Sequence, residues 1–313
     1  MHSAVASALN NSREAISIAV NTRPGISVLL AFARSSASPL WVAKISSDPK
    51  STRCLQREYK ALEVMLPWAR DLNVPVVRDW VRDERSACLI SSGVAGWTQP
   101  FGLAAETGAS DDLRRLETAT AWLRRFRATV PLSAVEQAIE DQGDRFLTLA
   151  HDADRTAEIA RLLDFLDGSG SHETAPTPSH GDFWWGNLCF DGPRLGVIDW
   201  EGLRARNRFH DLFVLLATLS HFEKRRLRTS VNVDIFLKRF YSKEAGASFI
   251  QNTLRAANPS SGELRRSFYV FVANVLSLNT GQYREPWLEI LRILDRHGFP
   301  EPWSCSLSPT AAV

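Results

Sequence analysis

Apolar positions along the chain shift from a mostly strand-like to a mostly helical period near residue 97. Before that point they come in short β-prone runs, at 15–20, 27–33 and 40–45, separated by turn-rich clusters at 21–25 and 35–39. Residues 76–81 and 87–90, joined through Asp83, Glu84 and Arg85, read as a further hairpin. Between the two sets, Leu55, Tyr59, Leu62, Met65 and Leu66 recur at helical spacing and predict a helix over 51–66, with Asp48 and Pro49 just ahead as its start signal. Residues 90–96, with Gly93 and Gly96, form a pliable connection. Beyond it the period is helical. Leu113, Leu116, Leu123 and Phe126 mark a helix over 111–130, two more fall within 135–166, and 168–179 is a polar loop. Apolar helical runs follow at 212–219, 233–241, 268–278 and 287–294. The pattern predicts an α+β chain: a small β-rich part with one helix (1–92), a connecting hinge (93–97), a larger mostly helical part (98–304) and a tail (305–313).

Two charges break the apolar pattern. Lys44 shares a strand face with Leu40 and Val42, and Glu58 falls inside the helical stripe of Leu55, Leu62 and Met65, while Arg57 and Lys60 point away. A buried carboxylate costs several kcal/mol unless it is paired. An ion pair between Lys44 and Glu58 accounts for both anomalies, with Glu63, at the margin of the stripe, as the fallback partner.

The helical region is interrupted by HGDFWWGNLCFDGPRLGVIDWE, residues 180–201. Two short apolar runs flank the turn signal Asp191, Gly192, Pro193, Arg194 and predict a β-hairpin. Asn187 enters that hairpin and Asp199 leaves it, so antiparallel pairing brings both to one end, beside Asp182. A carboxamide and a carboxylate converging there are oxygen ligands suited to magnesium, and Asp182 is placed to accept a proton. Taken singly, each residue has an ordinary structural explanation as a loop cap or a strand-end turn residue, and His180 as a satisfied buried histidine. Together they match a kinase pattern of His, any residue, Asp, four residues and Asn, with a further Asp after a hairpin.

The segment HGD-x4-N followed by IDWE resembles the aminoglycoside phosphotransferase and choline kinase family, the small-molecule branch of the protein-kinase-like fold. The resemblance implies a two-lobe architecture and an ATP-dependent phosphotransferase acting on a hydroxyl of a small molecule such as a sugar, polyol or amino alcohol. Asp182 would be the catalytic base, and Asn187 and Asp199 the ligands of Mg2+. Lys44, braced by Glu58, would grip the ATP phosphates, with Ser91 and Gly93 at the adenine side of the hinge. His180 and Asp211 would support the catalytic loop. Trp184 and Trp185 lie between the base and the metal ligand and, with Glu201, are candidate contacts to the acceptor. Gly181, in place of the Arg usual in protein kinases, and the lack of Asp-Phe-Gly and Ala-Pro-Glu segments argue against a protein kinase. A catalytically silent nucleotide-binding protein and an aminoglycoside kinase are the alternatives. Two departures stand out: only one glycine, Gly25, lies between the first two strands, so the residues over the phosphates are unassigned, and Asn207, Arg208 and Phe209 replace a Gly-Asp-Pro frequent in the family.

Composition narrows the class without changing it. A formal charge of +2 over 313 residues predicts neither nucleic-acid nor membrane binding. The four cysteines are scattered, so neither a zinc site nor a disulfide framework is expected. No secretory leader or spanning run of about 18 apolar residues is seen, which points to the cytoplasm. Residues 201–313 hold sixteen Lys and Arg against ten Asp and Glu, with Arg204, Arg206 and Arg208 in one cluster and 224–228 as another. That balance disfavours a polycationic acceptor, although the same arginines could simply form a solvated face.

Overall fold

The β-prone runs of the first ninety residues pair into a single antiparallel sheet. In the computed structural model the described residues are 15–23, 25–33, 38–83, 85–98, 109–139, 149, 156–168, 175–218, 252–253, 260–278 and 284–299. They fall into two compact units, one built from 1–100, 115–142 and 177–206, the other from 101–114, 143–176 and 207–313.

In the first unit, β1 (Ala15–Arg23), β2 (Ile26–Ala33), β3 (Pro39–Ser46), β4 (Val77–Arg82) and β5 (Ala87–Ser92) form a sheet of order β1-β2-β3-β5-β4. Helix α1 (Pro49–Met65) starts where Asp48 accepts from the Lys50 and Ser51 N–H groups at 2.9 and 3.0 Å. Its buried stripe contains Leu55, Leu62 and Met65, with Glu58 among them. Leu55 packs with Ile26 and Val28 on one sheet face, and Val42 and Trp80 border that cluster. Ala43, Cys88 and Ile90 pack on the opposite face. The sheet thus presents Val42 and Lys44 on the side of α1, as strand alternation requires.

A short helix α2 (Ala69–Leu72) follows α1 and ends at Asn73 in the left-handed region, φ 51°. Helix α3 (Ala109–Thr129) contributes residues 115–129 to this unit, and α4 is Leu132–Ala138. Trp122 and Phe126 of α3 meet Phe183 and Trp200 in one aromatic cluster, with centroids 5.3 to 6.1 Å apart. The hairpin read from the Asp-Gly turn is present as β8 (Leu188–Asp191) and β9 (Arg194–Val197), with Asp191 opposite Arg194. A two-residue strand, β6 (Trp97–Thr98), lies against β8. The polar loop expected over 168–179 ends as a strand, β7 (Thr177–Ser179), paired with β10 (Arg204–Arg206). Two or three residues are too few for an alternation pattern to show, so β6, β7 and β10 escaped the sequence reading.

The pairing of β7 with β10 explains the glycine that follows His180. Gly181 has φ +82°, and a Cβ there would overlap the backbone carbonyl of Gly202. Gly181→Ala is expected to lower stability by at least about 2 kcal/mol, combining the left-handed penalty with displacement of a backbone neighbour. Urea unfolding checks this; a variant with an unchanged midpoint would refute the constraint.

The second unit is helical: α5 (Ala157–Gly168), α6 (His210–Thr218), α7 (Ser261–Leu278) and α8 (Glu285–His297). Helix α7 packs on α5 and α6, and α8 on α5. Phe213, Phe268, Phe271 and Trp287 form its aromatic centre. Arg208 pairs with Glu263 at 2.6 Å, and Arg292 bridges Glu158, Glu285 and Glu289. The helical run expected at 233–241, the basic run at 224–228 and the tail at 305–313 lie outside the described residues. Among the described residues no helix is long and apolar enough to cross a membrane.

Candidate active site

The segment from His180 to Asp199 is held by its own polar groups. His180 is fully buried, its Nδ1 accepts the Asp182 N–H at 3.3 Å, and its Nε2 lies 3.1 Å from the Ile198 carbonyl. A neutral imidazole with its proton on Nε2 satisfies both contacts. The ring also packs edge-on against Trp200 at 4.6 Å, and Trp200 in turn donates from Nε1 to the Val197 carbonyl. His180 therefore ties the loop carrying Asp182 to the end of the hairpin carrying Asp199. Asn187 closes the loop: its Nδ2 donates to the Asp182 backbone carbonyl at 2.9 Å and to Asp182 Oδ2 at 3.1 Å. That choice of donors leaves the Asn187 carbonyl oxygen as a ligand for a cation.

Lys44 joins this segment to the sheet. Its ammonium donates to both Glu58 oxygens, at 2.6 and 2.7 Å, and to Asp199 Oδ1 at 2.9 Å. Burial opposes the lysine's charge, but Glu58 and then Asp199 outweigh it and hold its pKa above the ordinary range. Burial likewise pushes the Glu58 carboxyl up, with Lys44 as the counterweight. Asp199 itself has φ +66°, a backbone region that costs a non-glycine residue about 1–2 kcal/mol. The strain sits where β9 gives way to the turn Trp200–Gly202, and that turn packs against α1.

These groups border one cavity of about 560 Å³, within the range of small-molecule sites. Its apolar lining includes Val28, Leu30, Val42, Val94 and Ile198, and its polar lining includes Lys44, Glu58, Asp182, Asn187 and Asp199. Cys189 also lines it, and burial pushes its thiol up to about 11, so it stays neutral and unreactive. Among the described residues no three His, Cys, Asp or Glu side chains gather as a closed metal site. The Asp199 carboxylate and the Asn187 carboxamide oxygen still fit magnesium, which takes few protein ligands and completes its shell with water and phosphate oxygens.

Several expected site residues stand elsewhere. Gly93 is not a cavity residue: its N–H donates to the Leu40 carbonyl at 2.9 Å, and a Cβ there would run into the Pro39 backbone. Ser91 does line the cavity. Of the tryptophan pair, Trp184 lines the cavity, with Gly186 leaving room for its indole, whereas Trp185 is 1% exposed and stacks on Phe190 at 6.0 Å. Trp185 is thus core rather than an acceptor contact. Glu201 lies on the turn that packs against α1 and outside the cavity lining. Asp211 is fully buried in the first turn of α6, in the second unit. The Lys44–Asp199 contact spans 155 residues of sequence and had no local signal.

A cavity lined by apolar side chains together with a lysine, carboxylates and a carboxamide, on a five-stranded sheet with a helix supplying the lysine's glutamate, defines a kinase of small molecules. The chain belongs to the phosphotransferase enzyme family, whose model matches residues 32–235. Among solved structures, it is similar to an aminoglycoside-3'-phosphotransferase of type VIII, with TM-score 0.55 and 19% identity, covering 88% of this chain and 98% of that one. The aminoglycoside phosphotransferase APH(3'')-Id from Streptomyces rimosus gives 0.58 and 17%, covering 92% and 98%. A putative fructosamine-3-kinase from Thermobifida fusca gives 0.56 and 16%, covering 94% and 98%. No curated protein sequence matches the chain.

Proposed function

We propose that this kinase moves the γ-phosphoryl group of ATP to a hydroxyl of a small, uncharged acceptor, with Asp182 as the catalytic base. The observation that carries the reading is that Lys44, Asp182, Asn187 and Asp199 line one cavity, with Lys44 bonded to Asp199 and Asn187 to Asp182, together with a set of apolar residues. In this reading the purine lies against the apolar lining, beside Ser91 and the segment 93–97 acting as hinge between functional lobes 1–92 and 98–304. Lys44, kept cationic by Glu58 and Asp199, grips the phosphates. Asp182 accepts the proton of the acceptor hydroxyl, and its carboxylate is steadied by Asn187. A magnesium ion held by Asn187 and Asp199 would supply neutralisation of the charge on the transferring phosphoryl group. Asp211 and His180 act as supports. Complexes of two neighbours, one with ADP and streptomycin and one with GDP, are in line with a nucleotide in this cavity.

The acceptor proposal rests on carboxylates. Enzymes that hold polycations need several carboxylates directed at ammonium groups. Here the acidic residues lining the cavity, Glu58, Asp182 and Asp199, are each already engaged, by Lys44, Asn187 and Lys44. The arginine count contributes less than the sequence suggested, because Arg204 is buried and Arg208 is paired with Glu263. Trp184 offers an aromatic face to a sugar or polyol, worth on the order of 1 kcal/mol. Magnesium-dependent ATP turnover against a panel of sugars, polyols and aminoglycosides tests the proposal. Kanamycin-like compounds are expected to be poor substrates, and expression in a sensitive host should not raise their inhibitory concentration. A rise that depends on Asp182 would overturn the acceptor class and leave the phosphotransfer chemistry standing.

A further inference from the structure

The first unit holds a second cavity, of about 730 Å³, that shares no lining residue with the nucleotide cavity. Three arginines from three elements border it: Arg70 of α2, Arg125 of α3 and Arg194 at the start of β9. Asp71 is the single carboxylate on its lining. None of the three guanidinium groups has an ion pair or hydrogen bond among the described residues, Asp71 included. Some arginines elsewhere do find carboxylate partners, Arg161 with Asp295, Arg208 with Glu263 and Arg292 with three glutamates, whereas the exposed Arg53, Arg78 and Arg124 have none among the described residues; what sets Arg70, Arg125 and Arg194 apart is that they border one cavity. Three cations against one carboxylate leave the concavity with net positive charge, and a cleft with low-dielectric walls focuses that field.

The cavity is built on a firm base. Trp122, 2% exposed, forms part of its wall and is locked by a hydrogen bond from Nε1 to the Leu72 carbonyl at 2.8 Å. Thr118, Ala121, Trp122 and Arg125 stand at the spacing of a single face of α3, so the helix turns that whole face toward the cavity. Arg194 follows the tight turn of the β8–β9 hairpin, which limits its backbone freedom.

We propose that this cavity is a second, anion-binding site, for a small molecule carrying at least two phosphate or carboxylate groups. Guanidinium groups match such anions in forked geometry, and three of them exceed what one monoanion would satisfy. The volume suits a ligand of metabolite size rather than a nucleic-acid duplex.

Tripolyphosphate is the probe. It is titrated calorimetrically into the full chain already saturated with magnesium and a non-hydrolysable ATP analogue, so that the Lys44 end of the nucleotide cavity is filled. One tripolyphosphate per chain is expected to bind, more weakly as salt is raised from about 50 to about 300 mM. Arg125→Glu and Arg194→Glu should each weaken binding about tenfold or more, since each removes a charge-assisted contact. Arg124→Glu, on the same helix but off the lining, should leave it nearly unchanged. Because all these side chains are exposed, the variants should unfold at the parent's midpoint. Absence of saturable binding at low salt would overturn the proposal. So would equal weakening by Arg124→Glu, which would mean only a diffuse surface charge.

Discussion

Asp182→Asn is expected to lower turnover by about 100-fold or more while leaving nucleotide affinity and folding nearly unchanged. The substitution preserves the shape of the side chain. A carboxamide oxygen can still accept from Asn187 Nδ2, which lies 3.1 Å from Oδ2, and the Asp182 N–H can still reach His180. What disappears is a group able to take the acceptor's proton. Calorimetric titration of nucleotide and a coupled assay for ADP release separate the two properties. Wild-type turnover on the true acceptor would remove Asp182 from the role of base.

Lys44→Ala is expected to destabilise the protein by about 3–5 kcal/mol and to raise the Michaelis constant for ATP, because it leaves Glu58 buried without its partner. Glu58 is 3% exposed as a residue and has no water to turn to. Asp199 also loses a bond, but its side chain is 26% exposed and can be hydrated instead. Replacing both members, Lys44→Met with Glu58→Leu, should recover much of the stability and none of the activity. A double-mutant cycle in urea unfolding measures the coupling. If the two effects simply add, the ion pair contributes nothing to folding.

The Lys44–Glu58 pair was legible in the sequence because each charge sat in an apolar stripe, an anomaly that only a partner resolves. The β8–β9 hairpin was legible from an Asp-Gly turn between two apolar runs; in the structure Asn187 pairs through its carbonyl with the N–H of Ile198, the neighbour of Asp199. Other residues gave no such clue. Trp184 and Trp185 are neighbours of one type in one loop, yet one borders the cavity and the other stacks on Phe190. Gly93 carries no local sign that the register of β3 against β5 commits its N–H to Leu40.

Local spacing by itself determined the order of elements, the strand and helix faces, the helix cap at Asp48 and the identity of the polar residues that gather around Asp182. Each of these depends on neighbours within a few residues, where backbone geometry is periodic and burial leaves a readable trace. Only the tertiary structure decided that Lys44 holds Asp199 as well as Glu58, that Gly181 must pass Gly202 without a side chain, and that Arg70, Arg125 and Arg194 surround one cavity. Those relations join positions far apart in the chain. They follow from how the sheet, α3 and the hairpin pack together, and packing has no period along a sequence.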